Sequence, residues 1–283
     1  MTLVRAAQPC PEPLRPAWPR AASEPRQNRL RRRAPSGLRP LLLAGCLGLA
    51  ACASIPGGQE GGSRAAADYA HVVASDVRTD ADRRLDPARH PAQFLAFTGA
   101  RPGMRVLDVS AGAGYTSQLL ALAVAPGGIV YAQAPRPGQA LAQRLEAHPQ
   151  ADLVIVARPF DDPVPPQAHD LDLITIVQNY HDIAYQPVDR PAMDRHLFDA
   201  LRPGGHLVVI DHAARAGTGT ADTRTLHRID EAVVRRELTQ AGFVLEAEGS
   251  FLRNPADTRE RTSTNSPFPT DKFALRFVKP RHL

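Results

Sequence analysis

The chain has 283 residues with 34 Lys and Arg against 29 Asp and Glu, a net charge of +5 that on its face suggests a nucleic-acid partner. Nine of the Arg and two of the Glu fall within residues 1–51, leaving 25 basic and 27 acidic groups in residues 52–283. The body is therefore slightly acidic, so its charge predicts no basic phosphate-binding groove, and an aromatic content of 5% offers no platform for stacking bases.

The N-terminal excess of charge belongs to a leader. Arg29 to Arg39 forms a positive flank, and the apolar stretch Leu41 to Ala51 is too short to cross a bilayer as a helix. Leu49-Ala50-Ala51-Cys52 then resembles the lipobox of bacterial lipoproteins. Leu43-Ala44-Gly45-Cys46 is a second match, but cleavage there would leave only about five apolar residues ahead of the cysteine. Residues 1–52 are thus expected to be a signal, with export to the periplasm and a lipid on Cys52 as the only membrane attachment. Cys10, Cys46 and Cys52 all lie in this leader, so the mature domain is expected to contain no disulfide.

Residues 53–90, with Pro56, Gly57, Gly58, Gly61 and Gly62 near their start, read as a tether followed by a polar helical extension in which no chemistry is legible. The domain proper is expected over 91–283. Pro91 suits a first helical position, with Phe94, Leu95 and Phe97 behind it. Val106, Leu107 and Val109 form the apolar run of a buried parallel strand, interrupted by Asp108 near its carboxyl end. Gly112 and Gly114 allow a tight turn, and Thr116 is placed to cap a helix carrying Leu119, Leu120, Leu122 and Val124. Strand, glycine turn and helix start together make a nucleotide-type pocket.

The run Asp108-Val-Ser110-Ala-Gly112-Ala-Gly114 departs from the dinucleotide pattern. It resembles the first motif of class I S-adenosylmethionine-dependent methyltransferases, an acidic residue followed by Gly-x-Gly-x-Gly. Ser110 stands where the first glycine is usual, a mild departure if its φ is negative. The resemblance implies S-adenosylmethionine as cofactor, held by Asp108, Ser110, Gly112, Gly114 and Tyr115. It also implies an acidic residue at the end of the second strand, Ile129 to Ala134, to bind the ribose hydroxyls. This chain has Gln133 there, which can hydrogen-bond a ribose only without charge assistance.

Helical spacing from Gly138 to Ala147 leads to a third strand, Leu153 to Val156, and then Phe160-Asp161-Asp162, where the fold commonly contacts adenine; Asp161 is the expected acidic group. The fourth strand, Leu171 to Val177, runs into Gln178-Asn179-Tyr180-His181-Asp182 at the loop that brings acceptor to cofactor. Asn179 is assigned to the cofactor side, and Tyr180 and His181 to the acceptor side. An imidazole there can take a proton from a hydroxyl or amine, or can serve only as a hydrogen-bonding support.

Met193, Leu197, Phe198 and Leu201 repeat at helical spacing, and Pro203-Gly204-Gly205 ends that helix before a fifth strand, Leu207 to Ile210, closed by Asp211-His212. A helix with Ile229, Val233, Val234, Leu238 and Ala241 on one face stops at Gly242, with His227 at its start. Phe243 to Ala247 and Phe273 to Val278 are expected as an antiparallel pair, and the polar insertion Arg253 to Asp271 between them as a lid. Asn179-Tyr-His-Asp, Asp211-His, His227-Arg-Ile-Asp and Asp271-Lys-Phe resemble an exported bacterial family of methyltransferase-like proteins over about residues 70 to 280.

That resemblance implies an α/β, Rossmann-like doubly wound sheet of seven mostly parallel strands with an antiparallel last strand. It implies S-adenosylmethionine as cofactor and little about the substrate; the expectation is methyl transfer to a small-molecule nucleophile, with Tyr180, His181 and His212 placed on the acceptor side by their loop positions and no metal. Ser110, Gln133 and export would also suit a binding protein that kept the fold and lost catalysis. A third alternative is a metal-dependent hydrolase or lyase using His181, Asp182, Asp211, His212 and His227. These are good ligand types, but their spacing matches no tight metal motif.

Overall fold

Val, Ile and Leu fill five short runs that build the parallel part of one sheet: β1 (Arg105–Val109), β2 (Ile129–Ala134), β3 (Leu153–Ala157), β4 (Leu171–Val177) and β5 (Leu201–His212). Two more strands, β6 (Val244–Gly249) and β7 (Lys272–Val278), complete the order β3-β2-β1-β4-β5-β7-β6, with β7 antiparallel to both of its neighbours. This is the expected doubly wound sheet. The computed structural model describes residues 68–264 and 266–282, so the leader, the Cys52 anchor and most of the tether lie outside the described residues. No helix among the described residues is long and apolar enough to cross a membrane.

Strand alternation divides the core in two. Leu107, Val109, Ile174, Ile176 and Val209 face one layer, where helices α7 (Arg190–Ala200) and α8 (Glu231–Gln240) pack. Val106, Leu173, Val208 and Ile210 face the other, covered by α3 (Pro91–Thr98) and α4 (Tyr115–Val124). Ahead of these come α1 (Ala70–Ala74) and α2 (Asp80–Arg89), while α5 (Gln139–Ala147) connects β2 to β3 and the five-residue α6 (Tyr180–Ala184) follows β4. Asp108 lies on the Val106 face, directed at α4.

Three local expectations differ from the structure. The Leu201-Arg-Pro-Gly-Gly segment is not the end of a helix: α7 stops at Ala200 and Leu201 already pairs with Leu171. The strand continues through the turn residues because Gly205 lies against the Leu171 carbonyl, 2.8 Å from where a Cβ would sit. At α4 the cap is Gly114, and Thr116 is inside the helix with no capping role. Ile229 precedes α8 rather than riding on it; Asp230 caps that helix by accepting from the Ala232 N–H, and the strand-like segment before it bridges Ala213.

Asp194 on α7 is a buried carboxyl set between Tyr180 and Glu237. The Tyr180 hydroxyl lies 3.4 Å from Asp194 Oδ2 and donates to Glu237 Oε2 at 2.9 Å, while Arg190 holds Glu237 at 2.8 Å. Burial, and next the charge of Glu237, raise the Asp194 carboxyl to about 7. The native state therefore holds the proton more tightly than the unfolded chain. Its contribution to stability is complete below about pH 4 and is lost as the pH rises through about 7. Asp194→Asn should flatten the decline of melting temperature between about pH 5 and about pH 8, and should melt higher than the parent at the alkaline end. Equal slopes in the two proteins would refute this assignment.

Candidate functional site

The turn from Ser110 to Gly114 leaves β1 at the carboxyl edge of the sheet and opens onto a cavity of about 310 Å³ between β1 and β4. Asp108 forms its floor, accepting from Ser117 Oγ at 2.5 Å and Thr175 Oγ1 at 2.7 Å. Burial raises this carboxyl, and although the two hydroxyls counter the effect its pKa still reaches about 6. Ser110, Gly112, Tyr115 and Asn179 line the cavity as well. Asn179 Nδ2 donates to the carbonyls of Ser110 at 3.2 Å and Val177 at 2.9 Å, tying the turn to β4. Gly114, at φ 85°, leaves room for α5: a Cβ there would sit 2.6 Å from Leu141 Cδ1.

Ser110 does not keep a negative φ but adopts +60°, the left-handed conformation. Its N–H donates to Gln133 Oε1 at 3.1 Å, and Gln133 Nε2 donates to the Arg158 carbonyl at 2.6 Å. Gln133 is fully buried with both ends of its amide engaged, so it shapes the turn and is not presented to a ribose. Asp161 also stands apart: it is exposed, outside the cavity, and its carbonyl accepts from His196 Nδ1 at 2.8 Å.

The cavity's other wall comes from α2, in the polar stretch where the sequence showed no chemistry. Arg144 on α5 makes a two-pronged pair with Asp82, at 2.7 and 2.8 Å, and also donates to the carbonyl of Ala113 in the glycine turn at 2.9 Å. Burial alone would raise Asp82, but Arg144 and the Thr79 cap bring it down to about 2. One turn on, Asp86 accepts from the Tyr115 hydroxyl at 2.7 Å and pairs with Arg78. Arg89 then lies 4.6 Å from the centre of the Tyr115 ring, facing the cavity. Among the described residues it has no carboxylate in ion-pair contact. Thr79 and Asp82 close a capping box at the start of this helix, a pattern that marks the helix but not its pair with Arg144.

A second cavity, about 530 Å³, adjoins the first through Arg89 and Gln178 and is walled by Phe268, Thr270 and Lys272. The insertion expected as a lid does border this site, held by buried Arg228, which pairs with Asp257 at 2.8 Å and donates to the Arg261 and Ala213 carbonyls. His212 lines this cavity, its Nδ1 2.8 Å from Thr270 Oγ1. Burial first, then the charge of Lys272, push the imidazole well below its usual value, so it is neutral at pH 7.

The two other acceptor-side assignments change. Tyr180 is fully buried, turned toward Glu237 and away from both cavities, and burial with the neighbouring acids raises its hydroxyl far above the usual range. His181 is buried between Asp211, 2.6 Å from Nδ1, and Asp182, 3.2 Å from Nε2. Burial opposes its charge, but the two carboxylates prevail and its pKa is raised to about 10. An imidazolium accepts no proton, which removes it as a base. Asp182 in turn meets His227 Nδ1 at 3.1 Å, so the structure gathers all five His and Asp residues of this region into one cluster.

No protein-family model matches the chain, and no curated protein matches its sequence. Solved structures do share its fold. An S-adenosylmethionine-dependent methyltransferase from Aquifex aeolicus is 19% identical with TM-score 0.51, over 71% of this chain and 99% of its own. A candidate sarcosine dimethylglycine methyltransferase from Galdieria sulphuraria is 15% identical with TM-score 0.52, over 77% and 99%. A methyltransferase from Mesorhizobium loti, also S-adenosylmethionine-dependent, is 17% identical with TM-score 0.50, over 68% and 97%. With the strand order and the antiparallel β7, this is the class I methyltransferase fold.

Asp82→Ala should strand the Arg144 guanidinium under α2 and undo the capping box together. The expected loss is about 2 kcal/mol of stability, a fall of roughly 4–8 °C in melting temperature for a domain of this size. Amide exchange should quicken in α2 and the glycine turn while the β4–β5 ladder stays protected; uniform quickening would argue against a local clamp.

Proposed function

We propose that the chain is an enzyme that binds S-adenosylmethionine in the 310 Å³ cavity and passes its methyl group to a small-molecule nucleophile held in the adjoining 530 Å³ cavity. The observation that carries this reading is Arg89. A cation facing a cavity at the sheet's carboxyl edge, stacked on Tyr115 and without an acidic partner among the described residues, suits an anionic ligand group. The methionyl carboxylate is such a group. The backbone of the Ser110–Gly114 turn and the start of α4 then face the rest of the cofactor, and Gln133 takes no part.

The cofactor supplies an electrophilic methyl group. The chain's share is to align the acceptor and, where the acceptor must lose a proton, to accept it. Neutral His212 is the group suited to that, with its ring held by Thr270. The acid-flanked His181 stays charged beside it, 5.9 Å between ring centres. Export and lipidation at Cys52 stand with this reading as a proposal supported by the leader sequence; Cys52→Ser should move the protein from the membrane fraction to the soluble one, and an unchanged distribution would dismiss the anchor.

Calorimetric titration of the leaderless protein with S-adenosylmethionine and S-adenosylhomocysteine should give micromolar binding, roughly −8 kcal/mol. Arg89→Gln should weaken it about thirtyfold, on the order of 2 kcal/mol, without lowering the melting temperature. No heat at millimolar ligand would overturn the cofactor assignment and leave a repurposed fold.

A further inference from the structure

The methyl-transfer reading gives His212 a task but none to the neighbours gathered around it. We propose that His181 Nε2, Asp182 Oδ1 and His227 Nδ1 form a binding site for a divalent transition-metal ion, with Asp211 positioning the His181 ring. The three ligand atoms lie within 4.8 Å of one another. Asp182 Oδ1 is 3.2 Å from His181 Nε2 and 3.1 Å from His227 Nδ1. An ion about 2.0–2.2 Å from each ligand needs ligand–ligand edges of roughly 2.9 Å in an octahedron and 3.4 Å in a tetrahedron. Both of these separations fall between those edges, and the two imidazole nitrogens lie within 4.8 Å of each other.

The surroundings are those of a ligand set. Asp211 is fully buried and takes the His181 Nδ1–H at 2.6 Å, so Nε2, directed at Asp182, is the nitrogen an ion would take on displacing its proton. Asp211 is itself fixed by the backbone N–H groups of His181 and His212, each at 2.7 Å. A carboxylate behind the far nitrogen of a histidine is the usual outer partner of a metal-bound imidazole. His227 is held in a left-handed conformation, φ 51°, with its carbonyl accepting from Ser263 Oγ at 2.7 Å, and its ring meets the His181 ring edge-on at 5.6 Å. His181 lies at the bottom, and the side chains of Asp182 and His227 are each 33% exposed, which gives an ion a way in.

Two imidazoles and one carboxylate suit zinc, iron(II), cobalt or manganese better than magnesium or calcium. Three protein ligands leave coordination positions open. His212 lines the larger cavity and its ring centre is 5.9 Å from that of His181, so those positions suit an oxygen of the acceptor, a hydroxyl or a carboxylate; that last step rests on the methyl-transfer reading, while metal binding does not. The same atoms can also be joined by protons alone, with Asp182 accepting from both imidazoles, and the experiment has to separate the two.

Tag-free leaderless protein, stripped with chelator, would be titrated with Zn²⁺ by calorimetry and with Co²⁺ by visible absorption. One ion per chain with micromolar or tighter affinity is expected. His227→Ala, a substitution in a surface loop, should weaken it at least a hundredfold, and Asp211→Asn by about ten- to a hundredfold through the loosened ring. His196→Ala, an exposed histidine elsewhere, should change nothing. No saturable uptake, or uptake indifferent to His227→Ala, would overturn the site. S-adenosylmethionine titrated in parallel keeps the two claims apart: cofactor binding without metal uptake removes this proposal alone, and metal uptake without cofactor binding removes only the link to the acceptor.

Discussion

The site depends on one guanidinium. Arg144 joins Asp82 of α2 to the Ala113 carbonyl of the glycine turn and donates to Gln118 on α4 at 2.5 Å, so three separate segments share one cation. Without it, α2 would be a polar helix with little apolar surface; Asp82 is its one fully covered residue. Helices of this kind are held by tertiary contacts rather than propensity. Because Arg144 fixes α2, Arg89 at the end of that helix reaches the cavity, and the cavity has a second wall. The domain therefore begins before residue 91, inside the stretch that composition marks as an extension.

Buried acids at the carboxyl ends of two strands do different work because their partners differ. Asp108 on β1 is met by two neutral hydroxyls, which satisfy its oxygens without fully compensating its charge, and its carboxyl is raised. Asp211 on β5 is met by an imidazole and two backbone N–H groups. Asp108 is thereby raised to about 6, and Asp211 is the point around which His181 and His212 are arranged. That arrangement in turn keeps the two histidines unlike: one is charged between carboxylates, the other is neutral beside Lys272.

The sheet was legible because Val, Leu and Ile dominate β1 to β4 and the second half of β5, and the glycine turn because Asp, Gly and Gly follow one another at the end of a strand. The Arg144 clamp was not, since its partners Asp82, Ala113 and Gln118 lie 62, 31 and 26 positions away and an ion pair leaves no periodic trace. Side-chain direction was lost for a different reason. Asn179, Tyr180 and His181 are adjacent in sequence, but α6 begins there, and successive helical residues point about 100° apart. Asn179 keeps to the cavity, Tyr180 turns into the core toward Glu237 and Arg190, and His181 turns to β5. Tyr180 and His181, expected together on the acceptor side, are divided by a single helical turn.

The two departures from the family's motif turn out to be one structural unit. Ser110 at φ +60° carries a cost of roughly 1–2 kcal/mol that glycine would avoid. In that conformation its N–H meets Gln133 Oε1, and the other end of the same amide meets the Arg158 carbonyl beyond β3. A carboxylate at position 133 could accept from Ser110 but would set a negative oxygen against the Arg158 carbonyl, losing one hydrogen bond and adding repulsion. Only a side chain with both an acceptor and a donor closes this bridge across β1, β2 and the segment after β3. The absent ribose acid is therefore not a lone defect. It is the counterpart of a turn that uses the end of β2 for its own support.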